Sequence, residues 1–274
     1  MKSVLIKLHW LNLDTALGAA ITSLFVADYL QVKIPVVASA TLLIAVLAIY
    51  NFDHLMDARR LTSISQSARH RFYQLNQKPL SVYQLILMLG LITIIWYLPE
   101  DILRAGLVLA LVTGIYFILL FFIFPGRFLI KEIMIAIVYS LALFLAPLYS
   151  GQVNVEQNIW QIMWLEIFLL AVANTLIFSW YDYDIDLQEG HDSLAGALGQ
   201  TMIYRTIIIL LIALVLLSGY QLVTNDSTMH QLTIMSMTFI LFYSILARTS
   251  MKKNDRYRII GDAVFLIPAF ALLL

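Results

Sequence analysis

The sequence predicts an all-α polytopic membrane protein with nine transmembrane helices. Three observations carry this. Hydrophobic residues make up 61% of the chain and charged residues 12%, against about 25% charge in a soluble domain. Apolar runs of membrane-spanning length, about 20 residues, recur from end to end. The basic residues also fall almost entirely on alternate connections, as the positive-inside rule requires.

The spans are expected near 12–31, 34–56, 82–99, 102–124, 129–149, 158–181, 200–222, 230–248 and 257–274. No hydrophilic block is long enough for a second domain, so 1–274 reads as one transmembrane domain. The segment 1-MKSVLIKLHW-10 has two lysines but no small-residue cleavage site, so the first span is expected to be retained. With the N-terminus inside and the C-terminus outside, 15 of the 17 Lys and Arg residues face inward, and only Lys33 and Arg104 face outward. Function is expected on the cytoplasmic face, where the long connections hold the unusual side chains, and the membrane is expected to be an inner (plasma) membrane. The chain has no cysteine, which excludes disulfides, thiolate nucleophiles and Cys-ligated metals. Net charge is zero and gives no reason to expect a nucleic-acid partner.

The long inner connections 57–81 and 182–199 carry the unusual side chains. The second span ends 51-NFDHLMDARR-60, with Asp53 and Asp57 four residues apart. The sixth ends with Asp182 and Asp186, also four apart. On a helix, i and i+4 share one face. Two carboxylates at a helix C-terminus oppose the helix dipole and repel one another, and near hydrocarbon they need a partner or a cavity. A divalent cation reverses the sign of each effect. Hard oxygen ligands suit Mg²⁺, which takes one or two carboxylates and completes its shell with water and phosphate oxygens. The matched pairs therefore point to Mg²⁺ bridging to a diphosphate, against the plainer reading of interfacial aspartates that keep helix ends in water. On this reading Asp182 is half of a repulsive pair, and Asp182→Asn is expected to leave metal-free stability level or raise it.

Cations for a diphosphate are at hand. Arg59 and Arg60 follow the first pair, Arg69, His70 and Arg71 lie in the same connection, and Lys131 opens the fifth span beside Glu132. Arginine grips phosphate oxygens with a planar fork and lysine as a point charge. Lys252, Lys253, Arg256 and Arg258 read as plain positive-inside charge. Asn174 lies two turns before Asp182 and serves either substrate or helix packing. His54 reads as a hydrogen-bonding residue, Asp14 and Asp262 as end caps, and Glu166 as a protonated or paired group within the sixth span.

The segment 182-DYDIDLQEGHDS-193 has the form DxxxDxxxGxxS, with Asp182, Asp186, Gly190 and Ser193 in place. It resembles the second aspartate-rich motif of the UbiA superfamily of intramembrane prenyltransferases, and the nine-span layout and Lys131 are similar too. The resemblance implies a helical bundle around a central cavity. It also implies Asp53, Asp57, Asp182 and Asp186 as catalytic metal ligands for Mg²⁺. The substrates implied are a prenyl diphosphate and a lipophilic, often aromatic, acceptor, with Arg60, Lys131, Asn174, Arg59 and Arg71 as candidate substrate-binding residues. The first motif departs from the family's NDxxDxxxD: Ile49 and Tyr50 stand at its first two positions, and Asn51 is displaced by two. Three other classes compete with this resemblance. A CDP-alcohol phosphotransferase would need a GxxxDxxxD that does not follow 53-DHLMDARR-60. An intramembrane aspartyl protease would need a GxGD. A transporter would more usually place its polar site at midplane on broken helices, whereas a lipid binder on the same fold that has lost catalysis stays open because of Ile49 and Tyr50.

Overall fold

The computed structural model describes residues 2–61, 63–123, 131–150, 159–189, 193–224 and 227–273. They form helices without strands. In chain order these are α1 (Lys2–Trp10), α2 (Leu13–Tyr29), α3 (Val36–Arg60), α4 (Ala68–Leu75), α5 (Gln77–Ile94), α6 (Glu100–Ile118), α7 (Lys131–Leu148), α8 (Ile159–Glu189), α9 (Leu194–Leu198), α10 (Gln200–Thr224), α11 (Thr228–Leu246), α12 (Arg248–Lys252), α13 (Arg256–Ala263) and α14 (Pro268–Ala271). A 3₁₀ turn extends α5 through Ile95–Tyr97, and a π turn extends α6 through Leu119–Ile123.

Among the described residues, seven helices are long and apolar enough to cross a membrane: α3, extended α5, extended α6, α7, α8, α10 and α11. This is an integral multi-pass membrane protein. The other two expected spans differ in form. α2 has only 17 residues, and the last is broken into α13, a 3₁₀ turn at Val264–Leu266, and α14. The break falls where Pro268 begins α14, since proline cannot donate to the preceding turn.

Both aspartate pairs lie within continuous helix, at the inner ends of the second and sixth expected spans. α3 runs on to Arg60 and α8 to Glu189. Two further turns of α8 carry Asp182 and Asp186 beyond the apolar stretch, towards the face we term the site face. Gly190 and Arg127 lie outside the described residues.

α8 is the central helix. Met163, Ile167, Leu170, Ala173 and Ile177 are fully buried along it, and it packs on α7, α10, α11 and α13. A helix apolar all round belongs in a protein's interior. The buried Glu166 is held there by Ser218 Oγ at 2.9 Å and Gln231 Nε2 at 3.3 Å. At the site face Asn12 adopts a left-handed φ of 59° between α1 and α2, which Asn tolerates better than most residues. It bonds His54 of α3 at 3.3 Å and Tyr73 of α4 at 3.4 Å. α1 and α4 are thereby tied over the end of α3.

α13 approaches α8 through Gly261. A methyl group there would meet Asn174 Oδ1 at 2.4 Å and the Phe178 ring at 2.5 Å. Gly261→Ala is therefore expected to cost about 1–3 kcal/mol of stability, measured by thermal unfolding in detergent. It would also push α13 away from the chamber that α8 lines.

Candidate active site

The last turns of α3 and α8 and the first of α7 open onto one chamber of about 210 Å³. It is lined by Asp53, Asp57, Asp182 and Asp186 together, with Lys131, Asn174 and Arg60. The two pairs thus converge on one cavity, as their matched positions predict. The i,i+4 spacing turns both carboxylates of each pair the same way.

Each pair has a different partner. Lys131 Nζ lies 3.4 Å from Asp53 Oδ1 and 3.1 Å from Asp57 Oδ2, bridging the first pair from the start of α7. Asp182 is engaged on both oxygens: the Tyr257 hydroxyl donates to Oδ1 and Arg258 to Oδ2. Asp182 and Arg258 are both buried. Asp186 accepts from the Ser193 hydroxyl. Ser193 also caps α9, its Oγ accepting from the Gly196 amide at 3.2 Å. That accounts physically for Ser193 in the motif: one side chain starts α9 and orients a carboxylate.

Arg60 touches the chamber but donates to the carbonyls of Leu120 (3.3 Å) and Phe121 (2.5 Å) and stacks over Phe121. A guanidinium there satisfies carbonyls left open at the end of a helix and complements its dipole. Arg59 and Arg71 do not line the chamber. Arg59 donates to Ser81 Oγ and Arg71 to the Gln66 carbonyl, both at the surface. Arg59→Ala is accordingly expected to change stability by less than about 0.5 kcal/mol and to leave turnover unaltered in the assay described below.

Several lining groups escaped the sequence reading. Arg258 looked like ordinary positive-inside charge but is buried in the chamber wall. Only its approach to Asp182 across 76 positions gives it away, and no local pattern encodes that. Arg69, on α4, also lines the chamber. Burial, and then the neighbouring positive Arg258, push its guanidinium below the usual arginine range. Its Nε is buried without a hydrogen-bond partner. An anion in the chamber would supply what Arg69 lacks. Glu132 accepts from the Leu194 amide at 3.0 Å, fastening α9 to α7.

Asp14 and Asp262, expected as end caps, instead flank His9. His9 Nδ1 is 2.6 Å from Asp14 and 3.8 Å from Asp262. Among the described residues this is the group whose His and carboxylate ligand atoms lie within 4.8 Å of one another. The four motif aspartates are more widely set. That suits an ion which takes few protein carboxylates and shares the rest of its shell with phosphate and water.

The charge count tests the fit of Mg²⁺. Six carboxylates line the chamber, the four motif aspartates with Glu132 and Asp262, against four cations, Arg60, Arg69, Lys131 and Arg258. With every carboxylate ionised, as metal binding requires, the formal excess is two negative charges on hard oxygen donors, which suits one divalent ion. Two ions would leave room for an anionic ligand.

The helical bundle has the fold of solved UbiA homologues. A UbiA homologue from Archaeoglobus fulgidus bound to DMAPP and Mg²⁺ superposes with a TM-score of 0.63 at 14% identity, covering 97% of this chain and 99% of that one. The apo UbiA homologue from Aeropyrum pernix K1 gives 0.68 at 11% identity, with 97% of each chain covered. A structure described for digeranylgeranylglyceryl phosphate synthase gives 0.58 at 15% identity over the full length of both chains. No family sequence model and no curated protein sequence matches the chain.

Proposed function

We propose that this protein is a divergent, Mg²⁺-dependent prenyltransferase of the UbiA superfamily, moving a prenyl group from a prenyl diphosphate to a lipophilic acceptor. The observation that carries the reading is the convergence of both aspartate pairs, Lys131 and Arg258 on one chamber. The A. fulgidus homologue's DMAPP and Mg²⁺ support it, as does the second homologue structure from that organism, bound to GPP and Mg²⁺.

Asp53, Asp57, Asp182 and Asp186 would hold the metal, which when bound supplies positive charge to offset that developing on the leaving diphosphate. The chain's own cations act in the same direction. Arg69 offers an unmatched guanidinium edge, and Lys131 a point charge between the first two aspartates. Arg258 fixes the position of Asp182, its Nη2 donating to that carboxylate and its Nε to the Tyr257 hydroxyl. Beyond Tyr50 the walls become apolar, with Val46, Ile49, Phe117 and Val138. Such walls exclude water from a carbocation that water would otherwise quench.

Tyr50 and Ile49 stand where the family's first motif has acid and amide. The first pair therefore leans on Lys131 for charge balance. The acceptor is best sought directly. Mass spectrometry of lipids co-purifying with the wild type and with Asp186→Asn should show a prenylated lipid in the first and its unprenylated form in the second. Identical lipid profiles would contradict turnover in the cell. The site face is proposed to be cytoplasmic, on the basic-residue distribution.

A further inference from the structure

A small side pocket opens off the chamber towards α2 and α13. Its volume is about 20 Å³, room for one oxygen-sized group, since a water needs about 10–15 Å³. It shares Tyr50, Asn174 and Asp262 with the chamber, while Ala136, Ala171 and Phe265 line the pocket alone. Three of its polar atoms have no hydrogen-bond partner among the described residues: Thr15 Oγ1, the Tyr139 hydroxyl and Asn174 Oδ1. These three residues and Asp262 are each more than nine-tenths buried. A buried polar atom left unpaired costs about 1–3 kcal/mol. Helix packing alone gives no reason to gather three of them around one space.

The four side chains define what the pocket takes. Asp262 and Asn174 Oδ1 accept hydrogen bonds, whereas the Tyr139 and Thr15 hydroxyls can donate. A hydroxyl has one hydrogen to give and two lone pairs to receive, so it answers both kinds of group. A carbonyl has nothing to give Asp262. An ammonium has nothing to receive, and Arg69 and Arg258, whose charges both act on Asp262, oppose a further cation. Behind Asp262 stands a way out for a proton. Asp262, Asp14 and His9 offer atoms that lie within 4.8 Å of one another. His9 Nδ1 holds Asp14 at 2.6 Å, and the Asp14 side chain is 19% exposed against 9% for Asp262.

We propose that this pocket seats the hydroxyl of the acceptor, an alcohol or a phenol, and that Asp262 takes its proton; this rests on the prenyltransferase reading above. In the step, the acceptor O–H proton passes to an Asp262 oxygen, and the acceptor oxygen bonds to the first prenyl carbon. The bond from that carbon to the diphosphate breaks, and its electron pair leaves on the diphosphate. Asp14 then takes the proton on, nearer the surface. A carboxylate beside a bound cation loses affinity for protons, so the four motif aspartates suit the metal and a carboxylate outside their set suits the proton. Asp262 is thus a catalytic residue of the transfer, and Tyr139 and Thr15 fix where the acceptor oxygen lies.

The test uses the full chain in lipid nanodiscs with Mg²⁺ and geranylgeranyl diphosphate, reading diphosphate release together with the prenylated products. The probes are nonylphenol, hexadecanol, the methyl ether of each, and nitrophenol, which ionises unaided near neutral pH. Wild type is expected to prenylate nonylphenol, hexadecanol or both, and neither ether. Asp262→Asn is expected to lower that kcat about 10²-fold or more, the scale of a lost general base. Its deficit with nitrophenol should be about tenfold smaller, because that probe arrives without a proton to remove. Tyr139→Phe and Thr15→Val each delete one unpaired hydroxyl. They should raise the KM of the hydroxyl probe more than that of the donor, while the thermal midpoint holds or rises. Prenyl alcohol as the sole wild-type product would give the pocket to water and overturn the inference. So would prenylation of the ethers as readily as the hydroxyls, equal Asp262→Asn deficits on every probe, or pocket variants that lose stability but not probe affinity. No diphosphate release at all would overturn the prenyltransferase reading itself, and this inference with it.

Discussion

Replacing Asp186 with asparagine is expected to lower Mg²⁺-dependent diphosphate release about 10²-fold, a loss of about 2.7 kcal/mol of transition-state stabilisation, while stability hardly changes. Asn keeps the size and still accepts from Ser193, so the packing at the start of α9 survives. Among the described residues no direct ion pair holds Asp186, unlike Asp182, which is paired with Arg258, and Asp53 and Asp57, which are bridged by Lys131. Its charge is therefore the one least used by the fold and most available to a metal. Release at fixed Mg²⁺ and the thermal midpoint together check the expectation. Equal release by variant and wild type would remove Asp186 from the metal site.

Arg258→Met is expected to have the largest effect on stability, about 3–5 kcal/mol, because it strands the carboxylate of Asp182 inside the protein. Both members of the pair are buried, so neither gains much from solvent once separated. Asp182→Asn should also destabilise, since it leaves Arg258 uncompensated. This reverses the sequence-based expectation that relief of a repulsive pair would leave stability level or raise it. Asp182 is not an unbalanced charge but half of a buried ion pair, and its partner sits on another helix. The double variant Asp182→Asn with Arg258→Met should recover much of the loss, because uncharged neighbours no longer strand one another. Unfolding of the two singles and the double closes the cycle. Additive losses would mean that the two side chains do not depend on each other.

The reading of the chain from its sequence was strongest where physics is local. Hydrophobic length located the membrane helices, and i,i+4 spacing brought Asp53 with Asp57 and Asp182 with Asp186 to one chamber. It was weakest where the determining contact is remote. Arg258 was grouped with Lys252 and Lys253 because all are basic and near a helix end. Burial separates them, and burial depends on α13 closing against α8 at Gly261. The same holds for Asp14 and Asp262, which meet over His9 only when α1, α2 and α13 are assembled. Arg60 lines the chamber, but nothing in its local sequence shows that the carbonyls of Leu120 and Phe121, some sixty positions later, take its donors. The helices outrun the apolar spans of 34–56 and 158–181, because charged residues lower hydropathy without ending a helix, so α3 and α8 continue through their aspartates.

The central claim is that the four aspartates and their cations process a prenyl diphosphate with Mg²⁺. The most direct measurement is diphosphate release from geranylgeranyl diphosphate by the full chain in nanodiscs, titrated with Mg²⁺ and repeated with chelator. The account predicts release that rises and saturates with Mg²⁺, disappears with chelator and falls about 10²-fold in Asp186→Asn. Release that ignores Mg²⁺, or no release although the donor binds, would contradict it and leave a lipid-binding protein on this fold.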